Sequence, residues 1–369
     1  MMSAIIFLLF FFISIAVIYL YSNQQRISEN VFNRSFILSV MKKYGGTTLS
    51  HLLFLEDKQV FQAQGGSVLI SYRKKGRRLF ILGDPFGDKE KIEEGLNEFF
   101  SYASKRKLTP VFYQASEKYI SFYEKHGYRL FKVGEEAKVN LKSFVIEGKK
   151  FGNIRNIKNK FTKDGYIFSV AHPPFSSSLL EEMKSVSNEW LNDRKEKGFS
   201  VSSFSEEYIS YFPVSLFRDP NGRLIAFASL PSDYQKEETL SIDIMRYRND
   251  SRGAMDMVFV STILWAKEMG YTSCSLGMSP LSNVGVDNNS PFQEKIARYA
   301  FLNGCKFYNF KGLRRYKAKF ATDWSPRYLV YKKSLLFLLI LQLILIVQKE
   351  PIHKFSFIKK KIFRDKEAV

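Results

Sequence analysis

Three carboxylates and a set of bases are the side chains best placed by type and spacing to do chemistry. Asp256 stands three residues after Gly253, at the start of a long apolar stretch. A carboxylate in the first turn of a helix is favoured by the helix dipole, so it reads either as a cap or as a functional acid. Asp243 alternates with Leu240, Ile242 and Ile244 and therefore leaves the opposite face of a strand. There it is either a surface residue or a ligand for ammonium groups. Glu136 follows Glu135, as a site residue or as half of a strand-end pair. Among the bases, Arg314, Arg315, Lys317 and Lys319 interleave with Tyr316 and Phe320 after Gly312. Such a helix is either a solvated face or a phosphate-binding one, and arginine suits bidentate phosphate contacts. Arg155, Lys158 and Lys160 form a second stripe with the same two readings. Gly277 and Ser279 fall in segment 276–285, which reads as a loop after a strand. Loops of that kind turn backbone N–H groups toward phosphates or oxyanions, although Pro280 also suits a plain tight turn.

The elements needed to position these residues can be read from periodicity. Residues 68–72 and 79–82 flank Lys74-Lys75-Gly76 as a hairpin. A helix over 89–105 puts Ile92, Leu96, Phe99 and Phe100 on one face. Strands over 109–113 and 128–133 enclose a helix over 119–126 that Gly127 stops. Further on, Asp219-Pro220-Asn221-Gly222 joins strands 214–217 and 224–230. A strand over 240–245, a buried helix over 254–269, a strand over 273–276 and a helix over 292–302 follow. Strands over 306–310 and 328–331 flank a basic helix over 314–320. The fold class expected is α/β, in the α+β sense. Two tandem units, 34–144 and 145–333, each hold a mixed, mostly antiparallel sheet flanked by helices. Antiparallel strands followed by helix, strand, helix, strand are the layout of N-acetyltransferase-like folds.

Composition narrows the partners. The 56 Lys and Arg against 36 Asp and Glu leave +20, which attracts an anionic partner, nucleic acid or acidic lipid. Cys274 and Cys305 are the only cysteines, without a CxxC, and there are four histidines. That argues against a zinc site and a disulfide scaffold and fits a reducing compartment. Residues 5–21 are apolar except for Ser14, with no Lys or Arg before them. They read as a transmembrane anchor within segment 1–22 rather than a cleaved signal. Arg26, Arg34, Lys42 and Lys43 after it place the bulk of a single-pass protein in the cytoplasm. Segment 334–369 reads as an apolar helix with Gln342 in its middle, then a polybasic tail. It is either an interfacial membrane contact or a buried helix with a solvated tail.

Several stretches, in order, resemble the C-terminal catalytic domain of the phosphatidylglycerol lysyltransferase family, also called the multiple peptide resistance factors. They are Gly134-Glu135-Glu136-Ala137, residues 151–159, Glu189-Trp190-Leu191 and Gly253-Ala254-Met255-Asp256. Residues 276–285, residues 311–320 and Trp324-Ser325-Pro326-Arg327-Tyr328 complete the set. The resemblance covers about residues 35–333. Full-length members of that family add a many-helix domain that moves the product lipid across the bilayer, and this sequence has at most one clear span. It is similar to a short form from which lipid flipping is not expected.

The resemblance implies transfer of lysine, or alanine, from aminoacyl-tRNA to phosphatidylglycerol. A headgroup hydroxyl attacks the aminoacyl ester and the tRNA ribose leaves. The ester is already activated, so no cofactor or metal is expected. The implied partners are aminoacyl-tRNA, anionic phospholipid and the membrane. Asp256, Arg314 and Lys319 become candidate catalytic residues, with Asp256 binding the α-amino group or assisting proton transfer. Asp243, Glu136, Gly277, Ser279, Arg155, Lys158, Arg315 and Lys317 become candidate substrate-binding residues. Two rivals stay open. One is a membrane-anchored acyltransferase using acyl-CoA or another aminoacyl acceptor; Arg248-Asn249-Asp250-Ser251-Arg252-Gly253-Ala254 stands where a pyrophosphate turn belongs but holds one glycine. The other is a non-catalytic module that docks on membranes or RNA.

Overall fold

The computed structural model describes residues 33–235, 238–251, 253–286, 291–303, 309–332 and 334–348. The expected anchor at 1–22 and the basic tail beyond 348 lie outside the described residues, as does most of the strand expected at 306–310.

Helix α1 (Arg34–Tyr44) starts at Asn33, whose side chain accepts the Phe36 N–H. Strands β1 (Gln59–Ala63), β2 (Val68–Lys75), β3 (Arg78–Leu82) and the short β4 (Phe86–Gly87) follow. Helix α2 (Ile92–Lys105) buries Ile92, Leu96 and Phe99 at helical spacing. Then come β5 (Thr109–Ala115), α3 (Ile120–Lys125) and the twelve-residue β6 (Arg129–Asn140). The second half runs α4 (Gly152–Lys163), β7 (Ile167–Ala171), α5 (Ser177–Leu191), α6 (Glu206–Ile209), β8 (Val214–Arg218), β9 (Leu224–Ser229), β10 (Thr239–Ser241) and β11 (Met245–Tyr247). It ends with α7 (Ala254–Glu268), β12 (Ser273–Pro280), α8 (Phe292–Asn303), α9 (Phe310–Ala318), β13 (Asp323–Tyr331) and α10 (Leu336–Val347).

These strands form two sheets, and the expectation of one sheet per half is corrected. The large sheet has the order β1-β2-β3-β5-β13-β6-β12-β10, with β4 on β2. It therefore takes β10, β12 and β13 from beyond residue 144. The small sheet, β11-β9-β8-β7, is antiparallel throughout. The reason lies in β6 and β13. Leu329 and Val330 of β13 are both fully buried, in apolar clusters on opposite faces of the sheet. A strand buried on both faces needs a partner along each edge, and β13 finds them in β5 and β6. The length of β6 lets it pair β13 on one side and β12 on the other.

The strand expected over 240–245 is also broken. β10 joins the large sheet and β11 the small one, so residues 242–244 carry the chain from sheet to sheet. Ile242 packs into one core and Ile244 into another. Of the segment 276–285 expected to be a loop, residues 276–280 are instead the second half of β12, bulged against β6 between Ser275 and Met278, and the chain leaves the strand in a turn only from residue 281. Phe310, expected to end a strand, opens α9. Among the described residues no helix is long and apolar enough to cross a membrane.

Candidate functional site

A cavity of about 280 Å³ opens where the two sheets diverge. Its walls come from β5, β6, β12, β13, the 242–244 crossover, α9 and the segments around residues 48–52 and 200–202. Glu136 enters from the middle of β6, not from a strand end. Its Oε1 accepts from Thr48 Oγ1 and Ser275 Oγ, each at 2.7 Å, and its Oε2 pairs with the Arg327 guanidinium. Burial alone would raise this carboxyl, but Arg327, then Lys138 at 3.6 Å and the two hydroxyls, outweigh it and bring the pKa down to about 2. Glu135, its neighbour, serves a different cluster: Lys132, Ser282, Asn283 and Arg314.

Asp243 enters from the sheet crossover. It is not a surface residue, because the break between β10 and β11 turns it inward. Its carboxylate accepts from Ser202 Oγ (2.6 Å), Tyr208 Oη (2.8 Å) and Ser229 Oγ (3.3 Å), and His51 Nε2 lies 3.4 Å away. Burial works against its charge, yet His51 and the hydroxyl donors hold its pKa below the ordinary aspartate range.

Lys317 faces the same cavity from α9, and this corrects the expectation of a basic outer face. It is 5% exposed, and its ammonium donates to the Met278 carbonyl at 2.9 Å. Burial lowers its pKa to about 7, with Glu136 pulling the other way. Gly277 lies beside it with φ +76°, a left-handed value that suits glycine; a Cβ there would make only ordinary contact with Lys317 Nζ, at 3.5 Å. Its N–H donates to Ser275 Oγ. Ser279 does not join the cavity wall, although Met278 and Pro280 do. Its hydroxyl is buried with no hydrogen-bond partner among the described residues.

The expected catalytic trio divides. Asp256, in the first turn of α7, binds Lys319 Nζ at 3.0 and 3.1 Å. The ammonium also sits over the Tyr316 ring. This pair lies outside the cavity wall. Arg314 turns to the sheet, as its position on the helix predicts: it donates to Ser282 Oγ at 2.8 Å, approaches Glu135 and stacks 4.4 Å over Trp324. Arg315 remains exposed. Arg155 departs from the expected stripe. Its guanidinium donates to the Ile146 and Gly148 carbonyls and fastens α4 to the preceding loop. Lys158 and Lys160 leave α4 outside the cavity. That helix lies along the start of α7, since Phe161 and Ile157 flank Gly253.

Residues not singled out from the sequence complete the wall: His51, Thr48, Gln114 and Arg327. Arg327 lies in the stretch 324–328 whose order was noted, but its ion pair needs β13 beside β6. Gln114 has φ +64° at the place where β13 slips register on β5. A left-handed backbone at a cavity wall is strain held by its surroundings, and sequence gives no sign of it. The described residues hold no cluster suited to a metal ion. Two carboxylates fixed by hydroxyl donors, an arginine and a lysine whose pKa burial lowers thus line one cavity, a combination of groups that can in chemical terms hold a cation and carry a proton.

The sequence model of the family described as phosphatidylglycerol lysyltransferase, C-terminal, matches residues 38–331. A phosphatidylglycerol lysyltransferase of Bacillus subtilis is 40% identical over 332 residues, covering 90% of this chain and 38% of that protein. The chain therefore spans little more than a third of the curated relatives it matches. The solved structure of L-PGS from Bacillus licheniformis is 35% identical with a TM-score of 0.78, covering 88% of this chain and 100% of that one. The C-terminal domain of a lysylphosphatidylglycerol synthetase from Agrobacterium fabrum, named there as putative, is 32% identical with a TM-score of 0.73, covering 84% and 93%.

Proposed function

Because this chain belongs to the family of the phosphatidylglycerol lysyltransferase C-terminal domain, we propose that it transfers an aminoacyl group from tRNA to a lipid headgroup. Lysine is the amino acid, with alanine as the variant, and phosphatidylglycerol is the acceptor. The observation that carries this reading is the cavity that Lys317, Glu136 and Asp243 line together, in which burial pushes the pKa of the Lys317 ammonium down to about 7. The names of the relatives support the acceptor and the amino acid.

The mechanism uses the chain's own groups. Asp243 and Glu136 hold the ammonium groups of the aminoacyl moiety, each carboxylate fixed by hydroxyl donors so that little reorganisation is needed. Neutral Lys317 takes the proton of the headgroup hydroxyl as its oxygen bonds to the ester carbonyl carbon. The bond from that carbon to the ribose oxygen then breaks, and Lys317 returns the proton to the leaving ribose. Arg327, whose guanidinium lines the cavity, adds positive charge beside the developing oxyanion. Asp256 and Lys319 act as one paired unit outside the cavity wall, and Arg314 fixes its surroundings through Ser282 and Trp324. Arg315, Lys158 and Lys160 contact tRNA phosphates from outside.

Two finer readings accompany this one. The chain order of helices and strands supports two acetyltransferase-like units, joined here by a shared sheet. Residues 5–21 anchor the protein in the membrane, with the catalytic part cytoplasmic. The decisive experiment gives the purified chain lysyl-tRNA and phosphatidylglycerol vesicles and looks for lysylated lipid by mass spectrometry. Product that appears with acyl-CoA, and with no aminoacyl-tRNA, would replace this reading with an acyl-CoA transferase.

A further inference from the structure

Helices α8 and α10 cover one face of the large sheet. Ala297 of α8 and Leu339, Leu343 and Ile346 of α10 are buried on a cluster that includes Phe80, Val111, Phe131 and Leu329. Their outer faces are also apolar. Phe292 and Tyr299 of α8 are 77% and 70% exposed, and Phe337 of α10 is 73% exposed. Ile296, Leu341 and Ile344 extend the same surface. Apolar surface on this scale marks a contact face rather than scatter. At 12 residues, α10 is about 18 Å long at 1.5 Å per residue, too short to cross a bilayer of about 30 Å.

Basic residues rim that surface. By strand alternation Arg73, Lys75 and Arg78 fall on the face that α10 covers. Arg73 donates to the Ile346 carbonyl, and Arg78 donates to Gln342 Oε1 at 2.9 Å. Gln342, the one polar residue in the run, is thus engaged by Arg78 along the flank of α10, and the exposed residues of the helix stay apolar. Lys295 and Arg298 punctuate α8. In sequence, Lys349, Lys354, Lys359, Lys360, Lys361 and Arg364 follow α10.

We propose that the outer face of α8 and α10, with its basic rim, lies in the interface of an anionic bilayer, and that the lipid acceptor reaches the cavity from this face. The rim selects the occupant. Residues 5–21 contain no acidic side chain to answer it, and a second copy would bring its own basic rim. Anionic headgroups above an apolar layer match both features. The cavity adjoins this layer: Leu52, which belongs to the cluster under α10, also lines the cavity, as do Leu49, Tyr113 and Met278 packed against that cluster. The segment at 200–202 that lines the cavity follows a residue tied to the same helix: Gly198 N–H donates to the Val347 carbonyl at 3.0 Å. The docking surface stands without the proposed reaction; the access route rests on it.

The test uses the full chain in phosphatidylcholine vesicles with and without phosphatidylglycerol, its lipids brominated in the acyl chain. Phe292→Trp and Phe337→Trp should each be quenched by at least half in the anionic vesicles. Ile167→Trp, on an exposed strand of the small sheet, should not. Equal quenching at all three positions, or none at 292 and 337, overturns the proposal, the latter handing the face to another occupant. Phe337→Glu with Leu341→Glu should then lower turnover on vesicle phosphatidylglycerol at least tenfold relative to turnover on a short-chain, monomeric phosphatidylglycerol. An equal loss on both acceptors overturns the access route. Quenching with no turnover by the parent on either acceptor rejects the proposed reaction and leaves the docking surface standing.

Discussion

The cavity and the flank outside it draw on the same helix yet use charge in opposite ways. Lys317 and Arg315 leave α9 two residues apart. Lys317 is enclosed, donates to a backbone carbonyl and has a pKa near 7, whereas Arg315 stands in solvent. The Asp256–Lys319 pair lies between these extremes, with Lys319 39% exposed. A lysine in water is a permanent cation, but a buried one approaches a base at neutral pH. The lesson is that burial alone separates the bases of one motif: in the proposed reaction the enclosed lysine is the proton carrier and the solvated arginine a phosphate contact.

The sharpest way to break this contrast is inside the cavity. Glu136→Gln removes the carboxylate paired with the buried Arg327 and leaves it only the more distant influence of Asp84, and removing one member of a buried pair costs about 3 kcal/mol or more. Chemical denaturation should show that loss, together with loss of transfer. A variant as stable as the parent would mean that the pair is solvated. The linked pH dependence has a defined sign. The Glu136 pKa falls from 4.5 to about 2 on folding, so its stabilisation of about 3 kcal/mol is present above pH 4.5 and lost as pH falls toward 2.

Lys317→Met should lower kcat for transfer about a hundredfold or more while leaving the protein folded. Lys317 is held below its ordinary 10.5, so its burial penalty is fully present below about pH 7 and fades as pH rises toward 10.5. The methionine variant should therefore be at least as stable as the parent at pH 6, and less active at every pH. In the parent, transfer should rise with pH through about 7. A flat profile over pH 6–8 would remove Lys317 as the proton carrier.

Smaller effects sharpen the distinction. Asp243→Asn keeps the shape but removes the charge that faces an ammonium, and KM for lysyl-tRNA should rise about tenfold. An unchanged KM with a reduced kcat would move Asp243 from recognition to chemistry. At the flank, Asp256→Asn and Lys319→Gln should each cost several-fold in transfer. The double variant should cost no more than either alone, because paired residues act as a unit. The smallest change belongs to Arg315→Ala. Binding of tRNA should weaken by a few-fold, and its salt slope should fall by about one unit. An unaltered slope would place the phosphate contacts elsewhere.

Much of this was legible in the sequence. Local signals fixed α2, the β8–β9 hairpin and α7 to within a few residues, because apolar period and turn chemistry act over short spans. Ordered motifs pointed to the family and to most of the candidate residues. Asp243 read as the outer face of a strand because alternation assumes an unbroken one. Lys317 read as one of four equivalent bases because helical spacing does not say what lies opposite.

The sequence by itself determined residue types, most elements, the basic excess and the family. Tertiary structure decided which of those residues meet. β13 crosses the chain to stand between β5 and β6, and only then does Arg327 reach Glu136. The crossover between the sheets turns Asp243 inward, and α9 packs against β12 so that Lys317 loses its water. Each outcome depends on contacts between residues far apart in the chain. A carboxylate's proton affinity follows the charges and solvent around it, which are set by packing and not by the neighbours in sequence.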